Sequence, residues 1–205
     1  MDAASFWDNA AEKYAKSPIG NMAAYAQTRD RMREILQPHH RVLELGCGTG
    51  STALELADRV ASYTGSDVSP KMIAIAQGKQ TAQTPAHLNF VVTDAAHLPS
   101  GPHDVILALN LLHLVPDLED VLRQIYAALP SGGLLIAKTG LLRDGPKLLP
   151  WVVIPVMRAI GKAPYVRNLG ASEFLDMLQN TGFSVTETLT QKGLVPRLFT
   201  VASKP

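Results

Sequence analysis

The 205-residue chain has a single cysteine, Cys47. It can form no internal disulfide and no cysteine-built zinc site. Such scarcity of thiols suits a reducing compartment, and a cytoplasmic location is expected. Charge is also sparse. Only 18% of residues are charged, and 19 Lys and Arg against 18 Asp and Glu leave a net charge of +1. The basic residues stand singly or in pairs, without a run, which argues against nucleic acid as an electrostatically captured partner. Long hydrophobic runs are missing as well. The longest candidate, Leu148 to Ile160, has 13 residues and is interrupted by Pro150, Pro155 and Arg158. A bilayer needs about 20 apolar residues in a row, so no transmembrane segment is expected. The opening stretch MDAASFWDNAAEKYAK lacks the basic start and apolar core of a signal peptide. The six histidines include no helical pair at ligand spacing, and no metal site is expected.

What is present is an alternation of apolar runs and helical stretches. Ser5 is placed to cap a helix running to about Lys16, and a second helix spans about Met22 to Leu36 before Pro38. RVLEL (Arg41 to Leu45) reads as a strand, followed by glycines and a helix from Ser51 to about Val60. Further strands fall near Ser62 to Ser66, Leu88 to Val92, Asp104 to Leu109 and Leu134 to Lys138. Helices lie between them, one opening at Ser69-Pro70 and one spanning about Leu118 to Leu129. Continuous apolar strands alternating with helices imply a parallel sheet covered on both faces. A helix at about Ser172 to Asn180 and two closing runs, Ser184 to Leu189 and Leu198 to Ala202, add an antiparallel hairpin at the sheet edge. The expected fold is α/β: a doubly wound, Rossmann-like, mostly parallel seven-stranded sheet with helices on both faces and a C-terminal antiparallel hairpin.

The chemistry centres on VLELGCGTG, Val42 to Gly50. A strand runs into Gly-Cys-Gly-Thr-Gly and then a helix, so a ligand can approach the backbone closely beside outward-pointing amides. Asp67 ends the next strand, 21 residues after Gly46. A carboxylate at that position can accept both hydroxyls of a ribose, and it can also merely cap the helix that starts at Ser69. A dinucleotide fingerprint would place its third glycine three residues after the second, whereas Gly48 and Gly50 are two apart.

With these features together, the chain resembles the class I S-adenosylmethionine-dependent methyltransferases of small-molecule type. ELGCGTG (Glu44 to Gly50), DVSPKM (Asp67 to Met72), DAAHLP (Asp94 to Pro99) and DVILALNLLH (Asp104 to His113) are similar to four family motifs in order. The resemblance implies S-adenosyl-L-methionine as cofactor, with Glu44, Gly46, Cys47 and Gly48 in the glycine motif beside its methionine part. Asp67 would bind the ribose, Val68 and Met72 would flank the adenine, and Asp94, Ala95 and Ala96 would form the adenine-binding stretch. Asn110, Leu111 and His113 would sit under the sulfonium. Phe6 to Ile19 is similar to a lid helix, with Tyr14 touching the cofactor carboxylate.

A single methyltransferase domain is expected over 1–205. It comprises an N-terminal lid (1–37), a cofactor core (41–139), a substrate-side insertion (140–170) and a C-terminal helix and hairpin (171–205). The expected reaction is in-line methyl transfer to a small, apolar or lipid-like acceptor, with His113 as the base if one is used. The alternatives are a non-catalytic regulatory module that binds S-adenosylmethionine or S-adenosylhomocysteine, and a nicotinamide-dependent oxidoreductase. A monomer or homodimer fits. The 148–160 segment is expected as a lid helix packed on the core, with the wall of an apolar acceptor pocket and peripheral membrane contact as its alternatives.

Overall fold

The N-terminal helix shows how local capping chemistry sets an element's start. In the computed structural model, which describes residues 2–205, helix α1 spans Ala3–Lys16. Its cap is Asp2 rather than the expected Ser5. The Asp2 carboxylate accepts from the Ser5 amide at 2.8 Å, placing Ser5 inside the first turn. Asn21 caps α2 (Met22–Ile35) in the same way through the Ala24 amide at 2.9 Å.

The chain divides into two units, 2–103 and 104–205. In the first, β1 (Arg41–Leu45) leads through the glycine turn to α3 (Ser51–Leu56), which tightens into a short 3-10 turn. Then follow β2 (Ser62–Asp67), α4 (Pro70–Gly78) and β3 (Leu88–Val92). Ser69 caps α4 by accepting from the Met72 amide, and Pro70 takes the first helical position, where its missing N–H costs nothing. The strands pair in parallel as β3-β2-β1, with Leu43 beside Thr64 and Gly65 beside Phe90. Leu43, Leu45, Leu56, Tyr63, Met72 and Ile73 are buried among them.

In the second unit β4 (Val105–Leu109) and β5 (Leu134–Gly140) are parallel neighbours. Between them α5 (Leu118–Ala128) buries Leu118, Val121, Leu122 and Ile125, one stripe at helical spacing. Beyond β5 come a 3-10 turn at Leu142–Asp144, a π turn at Leu149–Val153 and the short helix α6 (Ile154–Ala159). Helix α7 (Ala171–Thr181) precedes the closing hairpin of β6 (Ser184–Gln191) and β7 (Arg197–Ser203). Both pairings of β7, with β5 and with β6, are antiparallel. The fold is thus the mostly parallel seven-stranded sheet with an antiparallel C-terminal hairpin, in agreement with the sequence reading.

The 148–160 segment departs from expectation. No residue of the π turn or of α6 is buried, so it is not a lid helix packed on the core. Two prolines lie within it, each lacking an amide donor, and the backbone widens into a π turn instead of forming one regular helix.

Candidate functional site

The site is built upward from the turn after β1. Its glycines adopt left-handed backbone, with φ of 65° at Gly46, 55° at Gly48 and 72° at Gly50. Two of them need glycine for opposite reasons. A Cβ on Gly50 would lie 2.7 Å from both the Ala76 Cβ and the Phe90 ring, so packing forbids it. A Cβ on Gly48 would meet only the Tyr14 ring, at 3.8 Å. Gly50 is glycine because protein fills the space, and Gly48 leaves space open beneath Tyr14. Burial alternates accordingly: Cys47, Thr49 and Gly50 are buried, while Gly46 and Gly48 are partly accessible.

Hydrogen bonds hold this turn from three sides. The Cys47 amide donates to the Ser66 carbonyl at 2.9 Å, and the Gly50 amide to the Cys47 carbonyl at 3.0 Å. The Lys79 ammonium, at the far end of α4, donates to the Thr49 carbonyl at 2.8 Å. Asp67 supplies the third. Its Oδ2 accepts from the Gly48 amide and its Oδ1 from the Ser69 amide, both at 2.9 Å. One carboxylate thus ties the glycine turn to the start of α4. Burial raises its pKa, and the two amides oppose that shift. Each oxygen still has acceptor capacity after one amide bond.

Beneath the turn, Glu44 is only 3% exposed. The Tyr63 hydroxyl donates to its Oε2 at 2.9 Å. Burial lifts the Glu44 carboxyl to about 7, with the Tyr63 hydrogen bond opposing and the Asp67 charge adding to the rise. Glu44 therefore ties β1 to β2 inside the sheet. The Cys47 thiol is buried and pushed well above its ordinary range by desolvation, so it packs as a thiol and is no nucleophile.

Helix α1 is pinned by a residue that the sequence reading did not single out. Asp8 Oδ1 accepts from the Ser69 hydroxyl and from the Lys71 amide, the latter at 3.1 Å. Ser69 thus caps α4 and anchors α1 at once. The only available signal was Asp8 lying six residues before Tyr14 on the same helix. Tyr14 itself is 54% exposed and meets Trp7 edge to face. A solvent-open groove of about 690 Å³ beside α1 is lined by Asp8, Glu12, Lys13, Lys16 and Lys71 among others, and of the four motifs it touches only Lys71.

The adenine-type stretch forms a tight turn. Asp94 Oδ1 accepts from the Ala96 amide at 2.9 Å and lies 2.7 Å from the His97 ring Nδ1. Ala95 is partly buried, Val68 likewise, and Met72 is 2% exposed.

In the second unit, Asn110 follows β4 with left-handed φ of 57°, its amide donating to the Lys138 carbonyl at 2.7 Å. Leu111 is partly buried beside it. His113 lies against the end of β5, where its Nδ1 accepts from the Gly140 amide at 3.2 Å. Burial, helped by the Arg197 charge, pushes its pKa down to about 4. The ring is neutral near pH 7. With Nδ1 accepting, the proton sits on Nε2, so the ring presents an N–H donor there. Lys138 on β5 is lowered to about 8 by burial and then by Arg197.

Comparison with known proteins fits this geometry. Residues 42–133 match the model of the methyltransferase domain family Methyltransf_25. A hybrid PKS-NRPS synthetase of Emericella nidulans is 29% identical over 201 residues, 87% of this chain and 5% of that protein. Magnesium-protoporphyrin O-methyltransferase of Rhodobacter capsulatus is 36% identical over 106 residues, 47% of each chain. The chain thus spans less than half the length of these curated relatives. Magnesium protoporphyrin IX methyltransferase from Synechocystis PCC 6803, solved with bound SAH, superposes with a TM-score of 0.72 at 20% identity, covering 98% of this chain and 97% of that one. Over residues 42–133 the chain is thus similar to a methyltransferase domain, and its fold is the one that the Synechocystis enzyme shares. The space left open at Gly48 and the unspent acceptor capacity of the twice-anchored Asp67 fit a cofactor of the S-adenosyl-L-methionine kind.

Proposed function

We propose that the protein transfers a methyl group from S-adenosylmethionine to a small, apolar or lipid-like acceptor by in-line displacement. When bound, the cofactor supplies an activated methyl on a sulfonium, which is already a good leaving group. The chain's own work is to bind, align and exclude water. Asp67 carries the reading. It is fixed by two amides at the end of β2, beside a glycine turn whose outer side is open. Its remaining acceptor capacity suits ribose hydroxyls. Val68, Met72 and the Ala95 amide are assigned to the adenine, with Asp94 Oδ2 taking its amino group because Oδ1 is committed to the turn. Gly46, Cys47, Gly48 and Tyr14 are assigned to the methionine part, over Glu44. Asn110, Leu111 and His113 are assigned to the methyl end, with the His113 Nε2–H as a donor that orients the acceptor.

Calorimetric titration of S-adenosylhomocysteine, with NAD as control ligand, tests the cofactor site. Asp67→Ala is expected to weaken binding by about 1.5–3 kcal/mol, roughly 10- to 150-fold. Absence of binding to folded wild-type protein would remove the reading, and an NAD response would favour a nicotinamide enzyme. A turnover assay over a panel of apolar acceptors then separates an enzyme from a cofactor-binding regulator.

A further inference from the structure

The segment that follows β5 is unusual in what it shows to water. Leu148 is 70% exposed, Trp151 74%, Val152 51%, Val156 56% and Ile160 60%. Scattered apolar residues on a surface are ordinary, but a contiguous group of this kind marks a site of association. Its charges are all of one sign. From Gly145 to Ser172 there is no Asp or Glu, while Lys147, Arg158, Lys162 and Arg167 are basic. Arg167 is already engaged by Glu119 and Glu173. Arg158 stacks over the Tyr165 ring at 5.1 Å. Lys147 and Lys162, at the two ends of the apolar stretch, are exposed.

We infer that the 147–162 segment seats the protein on the surface of an anionic phospholipid bilayer. Exposed tryptophan and aliphatic side chains enter the boundary between headgroups and acyl chains. Lysines at both ends and Arg158 meet lipid phosphates, each adding to attraction by an anionic leaflet. Among the described residues no helix is long and apolar enough to cross a membrane. The segment therefore lies on the surface and does not span it. Charge complementarity selects the bilayer over a second copy of the chain, whose identical segment would bring like charges together.

Vesicle co-sedimentation tests this with the whole protein. Phosphatidylcholine vesicles containing phosphatidylglycerol are expected to bind it at least about tenfold better than phosphatidylcholine alone, with the preference shrinking at high salt. The double variant Trp151→Asp, Val156→Asp should lose binding to both. Lys147→Glu, Lys162→Glu should lose only the anionic preference. Both variants should keep wild-type S-adenosylhomocysteine affinity, which confirms folding. Wild-type protein that stays in solution with anionic vesicles, or a Trp151→Asp, Val156→Asp variant that binds as well as wild type, would overturn the inference. So would a concentration-dependent dimer that this variant abolishes while no vesicle is bound. Loss of S-adenosylhomocysteine binding by wild type would strike the proposed function and leave the vesicle result standing.

Discussion

Two segments of this chain each leave the carboxyl end of a parallel strand, and they behave in opposite ways. After β1 the chain turns through Gly46 to Gly50 directly into a helix, and Cys47, Thr49 and Gly50 of the turn are buried. After β5 it passes through a 3-10 turn, a π turn and a six-residue helix whose side chains reach solvent. Apolar content does not explain the difference, because the second segment is the more apolar. Anchoring does. The first turn is held by Ser66, Asp67 and Lys79 acting on its backbone, with Phe90 and Ala76 filling the space behind Gly50. The stretch from Leu149 to Ala159 has no buried residue to fix it and two prolines that interrupt its amide ladder.

The contrast can be pressed by substitution. The largest effect is expected at Gly50→Ala. A Cβ at 2.7 Å from Ala76 and Phe90, on left-handed backbone, should cost about 2–5 kcal/mol of stability by urea denaturation. A loss under 1 kcal/mol would mean the packing behind the turn is loose.

Next comes the pH dependence of two buried titrating groups, one in each unit. Glu44 is raised to about 7. Its unfolded form releases the proton near 4.5, so its stabilising contribution is full below that value and is lost as pH rises through about 7. His113 is lowered to about 4. Its unfolded form takes up a proton near 6.5, so its contribution is full above that value and is lost as pH falls through about 4. Each is worth about 3 kcal/mol at most, and over this range they oppose. Wild-type stability should therefore change little between pH 4.5 and 7. Glu44→Gln, which still accepts from Tyr63, should expose the histidine and make stability rise by about 3 kcal/mol across that window. A flat profile in the variant would contradict the burial of His113.

Gly48→Ala should be milder for folding, about 1 kcal/mol from left-handed backbone alone, because only Tyr14 stands near. It should nevertheless weaken S-adenosylhomocysteine by tenfold or more in the same calorimetric assay. The reverse order of Gly48→Ala and Gly50→Ala in stability would break the distinction between open and filled sides of the turn. The smallest effect is expected at Trp151→Ser, within about 0.5 kcal/mol of wild type in thermal unfolding. A larger loss would show that the segment is packed after all.

Much of the fold was legible because its signals are local. The RVLEL strand, the Ser69-Pro70 helix start and the apolar stripe of α5 follow from period, cap and proline chemistry, and the elements appear where those rules place them. The cap of α1 was misread for a local reason too: Asp2 and Ser5 are both capping residues three apart, and the Asp2 carboxylate accepts from both the amide and the hydroxyl of Ser5, so Asp2 leads. The setting of His113 had no local clue. Imidazole carries its ordinary pKa in a sequence. Only the Gly140 amide on Nδ1 and the burial around the ring turn it into a neutral donor. Asp8 was missed because a carboxylate on an exposed helix is usually solvated, and its partner Ser69 lies 61 residues away.

By itself the sequence determined the order of strands and helices and the glycine turn with its acidic strand ends. Those depend on backbone stereochemistry and periodicity within a few residues of one another. The tertiary structure decided which glycine faces protein and which faces open space. It also decided where the His113 proton resides and that an apolar, one-signed segment stays in solvent. Those depend on neighbours brought from far along the chain, because burial and hydrogen-bond partners are properties of the packed state.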